Sequence, residues 1–359
     1  MTEELSMIVD CIRKIVEGMN LSYQEAYEAM VDIMSGKATP AQIASFITAL
    51  RMKGETVEEI SAFASAMKKF CIPVRPRVNS RLIDTCGTGG DKIKTFNVST
   101  LTALVVAGAG VPVAKHGNRS VTSRAGSADL LEHLGLKLEV DIETVQKAIE
   151  EVGIGFIYAP RFHPAMKYAI GPRREIAIRT VFNILGPLTN PADVKAQLLG
   201  VFDERWTEPL AEVLRKLGCE EAMVVYGLDG LDEISIIGRT KVAWLKEGEI
   251  RVFELTPKDF GFEKADPAAL AVNSVDQCAE IAFKLLYCDP DTNDPKLRML
   301  LMNSSAALIV GGMADSFKDG VELALESIAS GSAYKKLKEL IEIYGGSLSI
   351  LEGMEKKYG

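Results

Sequence analysis

LIDTCGTGGD (82–91) decides the fold: a short, mostly apolar run, Leu82 to Cys86, passes straight into Gly87-Thr88-Gly89-Gly90-Asp91. A strand ending in a glycine turn, with a helix predicted soon after over 99–108, is the opening unit of a parallel α/β sheet. Further strands are expected over 111–114, 154–158 and 222–226, with helices over 126–135 and 141–152 between them. Residues 242–245 and 250–255 read as a hairpin around Glu247-Gly248-Glu249, and the chain beyond Ser274 is mostly helix. Upstream, residues 4 to about 70 read as consecutive helices, because Ile8, Ile12, Ile15 and Val16, then Tyr23, Tyr27, Met30, Val31 and Met34, recur at helical spacing. Ser22 with Glu25 forms a capping box, Thr39-Pro40 is an N-cap followed by a first-turn proline, and Thr56 opens the next helix. Pro73 and Pro76, among basic residues, mark a linker. The fold class is α/β, with an all-helical opening segment.

Composition narrows the partners. The chain has 359 residues, 47% hydrophobic and 25% charged, which suits globular domains and excludes a disordered or fibrous chain. Lys and Arg number 41 against 49 Asp and Glu, a net charge of -8, which argues against a nucleic-acid surface. It does not argue against one phosphorylated ligand, since local cations or a metal can reverse the sign in a single cleft. The first residues are acidic and amphipathic, unlike a secretory signal, and the uncharged stretch 95–114 is too polar to span a bilayer. Six cysteines without C-x-x-C spacing suggest reduced thiols and a cytoplasmic location.

Four constellations carry chemistry. The glycine turn 87–91 can bring backbone amides against an anion, although a lone loop of this kind is as often a mere tight turn. Asn97-Val98-Ser99-Thr100 contains ordinary N-cap residues that, beside such a loop, can also serve phosphate or Mg²⁺. KHGNRSVTSR (115–124), predicted as a loop after a strand, holds three cations and three hydroxyls and no carboxylate, a composition suited to polyphosphate oxygens. Asp229-Gly230-Leu231-Asp232-Glu233 offers paired carboxylates for a hard cation, or else a surface acidic turn. All four are expected at the C-terminal ends of strands, where open α/β sheets bind ligands. Arg161 and Arg173-Arg174 stand apart and could grip a substrate carboxylate.

Taken in order, DTCGTGGD (84–91), TFNVST (95–100), KHGNRSVTSRAGSADLLE (115–132), RFHPAM (161–166), RTVFNILGPLTNP (179–191) and DGLDEIS (229–235) resemble the anthranilate phosphoribosyltransferase family over essentially the whole chain. The K-x-S-G-R-G-type loop of the related pyrimidine nucleoside phosphorylases is absent. The resemblance implies a nucleoside phosphorylase/phosphoribosyltransferase-type architecture, with a small helical domain (residues 1–75, completed by part of 165–200) and a larger α/β domain (76–359) around a mostly parallel sheet. It also implies a homodimer formed through the helical domain. The implied reaction joins 5-phosphoribosyl 1-diphosphate to anthranilate in tryptophan biosynthesis, with Mg²⁺ as cofactor and diphosphate leaving.

By the same resemblance, Gly87, Gly90, Asp91, Thr95, Asn97, Val98, Ser99 and Thr100 line the phosphoribosyl diphosphate site. Lys115, His116, Gly117, Asn118, Arg119, Ser120, Val121, Thr122, Ser123 and Ser127 bind its phosphates, with Lys115 and Arg119 stabilising the leaving group. Ser99, Asp232 and Glu233 hold the metal. Gly87, Asn118 and Arg173 contact anthranilate, and His116 and Pro160 line its approach. The chain departs from the family pattern at Lys92, where glycine is frequent, and at Tyr226, where histidine is common. Two rival functions are a nucleoside phosphorylase of the same architecture and a non-catalytic protein that binds phosphoribosyl diphosphate.

Overall fold

The computed structural model describes residues 6–90, 95–120 and 125–358. Four helices open the chain: α1 (Met7–Val16), α2 (Tyr23–Met34), α3 (Pro40–Lys53) and α4 (Val57–Lys69). Their starts follow from the caps expected. Ser22, Thr39 and Thr56 each accept the N3 backbone amide, while Glu25, Gln42 and Glu59 reach back to the cap. Glu59 does more. Fully buried, it also accepts from the Leu21 amide (2.9 Å) and the Lys53 ammonium (2.9 Å), so one carboxylate ties three stretches of the helical domain together.

The α/β domain alternates β1 (Ile83–Gly87), α5 (Val98–Gly108), β2 (Val113–Gly117), α6 (Ser127–His133), α7 (Ile142–Lys147) and β3 (Ile154–Tyr158). Next come α8 (Ala159–Phe162), α9 (Lys167–Ile176), α10 (Phe182–Leu188), β4 (Ala196–Gly200), α11 (Thr207–Lys216) and β5 (Glu221–Gly227). The hairpin β6 (Thr240–Lys246) and β7 (Glu249–Leu255) turns on Glu247 and Gly248, both at positive φ, as a two-residue turn matched to strand twist requires. Helices α12 (Val275–Tyr287), α13 (Pro295–Val310), α14 (Phe317–Ala329), α15 (Ser332–Ile343) and α16 (Ser349–Tyr358) complete the chain.

The seven strands are ordered β3-β2-β1-β4-β5-β6-β7, parallel through β5 and antiparallel in the last two pairs. The chain leaves β1 toward β2 and β3, then returns to β4 on its other side. Strand order therefore reverses at β1, and the crevice beyond the strand ends there is where such sheets take ligands. Residues of one strand serve two cores by alternation: Met223 and Val225 of β5 face one, while Ala222, Val224 and Tyr226 face the other, which they share with α1 to α4 and α9 to α11. At the β3 edge, the buried Tyr344 hydroxyl accepts from the Phe156 amide (2.8 Å) and donates to its carbonyl (2.9 Å).

Two expectations need correction. Strand β2 runs later than predicted, to Gly117, because its ladder with β3 continues through Lys115↔Phe156, His116↔Ile157 and Gly117↔Tyr158. Lys115 and His116 are thus strand residues rather than loop residues. The second is β4, which was not expected at all. Every residue of it is buried, as in β3 and β5, but Ala-Gln-Leu-Leu-Gly lacks the β-branched and aromatic residues that mark those two. Among the described residues no helix is long and apolar enough to cross a membrane.

Candidate active site

The glycine turn folds over the end of β1 and is fastened by backbone groups. Thr88 donates its amide to Gly200 O (2.9 Å) and accepts the Phe202 amide on its hydroxyl (2.9 Å). Gly89 donates its amide to Asp232 Oδ2 (2.9 Å), and Gly89 and Gly90 take φ of 67° and 85°, a region glycine enters without strain. Gly87 is a matter of space: a Cβ there would stand 2.6 Å from Asp232 Oδ2. Asp232 and Glu233 follow β5 through a turn closed by Gly227 N donating to Leu231 O (2.9 Å). Asn303 on α13 fixes the next residue, accepting from Ile234 N and donating to Ile234 O. Asp229 instead shapes the turn, accepting from the Leu231 amide and the Ser235 hydroxyl.

Below this turn lies a buried polar layer. Lys115 Nζ donates to Thr85 O (2.6 Å), and Thr85 Oγ1 donates to Ser99 O (2.8 Å). Asp84, with no exposed surface, accepts from the His116 amide (3.3 Å) and Asn190 Nδ2 (2.9 Å). Burial pushes the Asp84 carboxyl pKa up, opposed by the Lys115 charge and those two donors. Asn97 sits at the N-cap of α5 but does not cap it. Its amide donates to Ala125 O (3.0 Å), and its Oδ1, like Thr100 Oγ1, is buried without a partner among the described residues.

The rings of His116 and His163 lie 5.1 Å apart, both buried, each with Nε2 unpartnered among the described residues. Burial holds both below the ordinary histidine range, His163 at about 4, so both are neutral at pH 7. Arg173, at the far wall, lies 5.0 Å over the Phe182 ring and has no carboxylate partner among the described residues. Burial lowers its pKa, the penalty of a guanidinium placed in a wall without a counter-charge.

Among these groups lies a cleft of about 330 Å³. It takes in Gly87, Gly90, Thr95, Asn97, Val98, Ser99 and Thr100 from the β1–α5 side, and Lys115 through Ser120 with Ser127 from the β2–α6 side. Arg173, Asp232 and Glu233 close it. Asp91, Val121, Thr122 and Ser123, like Lys92, lie outside the described residues. Pro160 does not line the cleft: it is exposed in the first turn of α8, and its neighbour Ala159 faces the site instead. Arg119 lines the cleft, and its guanidinium also pairs with Glu132 (2.7 and 2.9 Å) and Asp129 (3.1 Å) of α6. Sequence reasoning gave no role to Arg179, Phe182 and Asn183, which also line the cleft. The signal was present, since all three stand in the quoted stretch 179–191.

Comparison with known proteins agrees with this geometry. Residues 79–334 match the family model described as "Glycosyl transferase family, a/b domain", and residues 9–71 match the corresponding helical bundle domain. The anthranilate phosphoribosyltransferase of Acetivibrio thermocellus is 50% identical over 346 residues, 96% of this chain and 99% of the relative. The Thermus thermophilus anthranilate phosphoribosyltransferase structure superposes with a TM-score of 0.88 at 42% identity, covering 94% of this chain and 99% of the other. A Saccharomyces cerevisiae enzyme of the same name, solved with PRPP and Mg, gives 0.86 at 30% identity over 94% and 98%.

Proposed function

The chain belongs to the anthranilate phosphoribosyltransferases, and on that premise we propose that its cleft joins 5-phosphoribosyl 1-diphosphate to anthranilate, releasing diphosphate, as a step of tryptophan biosynthesis. The observation that carries the substrate assignment is Arg173: a guanidinium set in the cleft wall without a carboxylate of its own is a receptor for one brought by the substrate. Gly87 and Asn118 are the neighbouring contacts proposed for anthranilate, with His116 and, beside Ala159 in place of the outward Pro160, the start of α8 along its approach.

The donor site is assigned to the opposite half. The start of α5 and the Lys115 ammonium, beside the glycine turn, supply the positive side of a polyphosphate site. The Asp232 and Glu233 carboxylates, each 9% exposed, supply hard oxygen donors beside Ser99. Among the described residues no three such acidic or imidazole side chains converge as a complete metal site. That suits Mg²⁺, which is held by one or two carboxylates while substrate phosphates and water complete its shell. When bound, the ion neutralises charge developing on the departing diphosphate.

The bond from the anomeric carbon to the diphosphate oxygen breaks, and the amine nitrogen forms the new C–N bond at that carbon, giving up one of its two protons to water or to the departing diphosphate. Arg173 orients the amine by its neighbouring carboxylate, and Lys115 stabilises the leaving oxygens. An aniline nitrogen is neutral at pH 7, so the reaction needs no strong base to prepare it. The neutral His116 wall leaves it uncharged.

We divide the chain into a helical domain, residues 1–75 with part of 165–200, and an α/β domain over 76–359, a division supported by helices α9 and α10 sharing a core with α1 to α4. We assign a cytoplasmic homodimer through the helical domain, whose exposed Val16, Met19 and Met52 support it. Light scattering tests this, and a monomer at micromolar concentration refutes it. The enzymatic reading is tested by the loss of anthranilate fluorescence with phosphoribosyl diphosphate and Mg²⁺. Consumption that depends on both supports it; nucleoside phosphorolysis without anthranilate consumption overturns it.

A further inference from the structure

Besides the Phe202 amide on Thr88 Oγ1, three attachments hold the glycine turn among the described residues, and they come from different places. Gly200 and Asp232 grip it from the sheet, through the amides of Thr88 and Gly89. The third comes from across the cleft: Arg179 Nη2 donates to Gly90 O at 2.7 Å. Arg179 belongs to the short segment between α9 and α10 that begins at Ala177, a non-glycine residue held at φ 51°, and it lies between Arg173 and Phe182 in the chain. Its guanidinium lies 4.4 Å over the Phe202 ring, which fixes its plane, and the Phe202 amide in turn donates to Thr88 Oγ1. A Cβ on Gly90 would stand 2.4 Å from Arg179 Nη2, so the absence of a side chain at 90 is what lets the arginine reach the carbonyl.

We infer that Arg179 is a positioning residue for the donor: stacked on Phe202, it holds the Gly87–Gly90 turn against the cleft in the form that walls the donor site. The inference rests on the functional reading above and adds a residue to it. It also makes the α9–α10 segment a shared part, with Arg173 serving the acceptor and Arg179 the donor turn. Lysine at 179 would keep the charge but lose both the planar stack and the fixed donor direction.

The test compares wild type with Arg179→Ala, Arg179→Lys and Phe202→Leu, measuring KM for each substrate and, by calorimetry without anthranilate, the Kd for phosphoribosyl diphosphate with Mg²⁺. Loss of one charge-assisted hydrogen bond to the turn should raise the donor KM and Kd about tenfold in Arg179→Ala. Anthranilate KM should stay within about twofold, and Arg179→Lys and Phe202→Leu should fall between. Because Arg179 is exposed, its two variants are expected to melt close to wild type. A donor Kd unchanged in Arg179→Ala, or equal rises in both KM values, overturns the inference. Wild-type protein that consumes no anthranilate would instead overturn the functional reading.

Discussion

The Asp232 carboxylate accepts the Gly89 amide at 2.9 Å, joining two loops that are 143 residues apart in the chain. The same oxygen, Oδ2, occupies the space a Cβ on Gly87 would need, at 2.6 Å. The glycine turn and the acidic turn are therefore parts of one construction.

Gly87→Ala should fold, because the atom in its way is the end of a side chain that can rotate, but Asp232 must leave its position. The Mg²⁺ concentration for half-maximal activity should rise roughly tenfold, read from a metal titration at saturating substrates. An unchanged titration would falsify the link between Gly87 and the carboxylate. Gly200→Ala is a contrasting case: its Cβ would stand 1.5 Å from the Asp232 backbone oxygen, which cannot rotate away. That variant should lose about 3 kcal/mol or more of stability, measured by denaturant unfolding.

Arg173→Ala should raise the anthranilate KM by tenfold or more, ~1.4 kcal/mol per decade, with the donor KM nearly unchanged. Arg173→Lys should recover only part of the loss, since an ammonium cannot make the two-pronged contact a carboxylate accepts from arginine. Aniline, which has no carboxylate, should be used almost equally by wild type and Arg173→Ala. Steady-state kinetics with both acceptors decides the matter.

His163 sets a pH dependence of stability. Its pKa is held at about 4 by burial, below the ordinary 6.5 of the unfolded chain. The unfolded state therefore binds a proton that the native state refuses, and stability present above pH 6.5 is lost as pH falls toward 4. The loss assignable to this residue is on the order of 3 kcal/mol. Denaturant unfolding at pH 7 and pH 4.5 should show a smaller drop for His163→Asn than for wild type. An equal drop in both would remove His163 from the account.

Glu59 and Lys53 form a buried ion pair whose carboxylate also accepts two backbone amides, from Leu21 and Thr56. Glu59→Gln keeps the shape but leaves the Lys53 ammonium buried without its counter-charge. It should cost roughly 3 kcal/mol. Lys53→Met, which leaves the carboxylate its two amide donors, should cost less. Thermal unfolding of the two variants gives the order.

The helical caps were legible because each depends on two residues three positions apart, as Ser22 with Glu25 and Thr56 with Glu59. The cleft was legible for a similar reason: glycines, hydroxyls and cations stand in short runs after strands. What local sequence does not carry is reach. The pairing of Arg119 with Asp129 and Glu132 of the following helix is one such contact. Arg179 meets Gly90 across 89 residues, and neither sequence context announces the other. Strand β4 was invisible because Ala-Gln-Leu-Leu-Gly carries none of the β-branched or aromatic residues that mark the equally buried β3 and β5.

The reversal of strand order at β1 also governs how the chain can be assembled. Strand β1 pairs along its whole length with β4, from Ile83↔Ala196 to Gly87↔Gly200. During synthesis β1, an interior strand third in the order, must wait with one edge open until residue 200 has emerged. The leading helices wait as well, for their core is completed by Leu185, Leu199, Leu210 and Val224. Loop closure over such distances is slow, so neither core can close until β4 and β5 have emerged, and a nascent chain stalled before β4 would be a natural client for a chaperone.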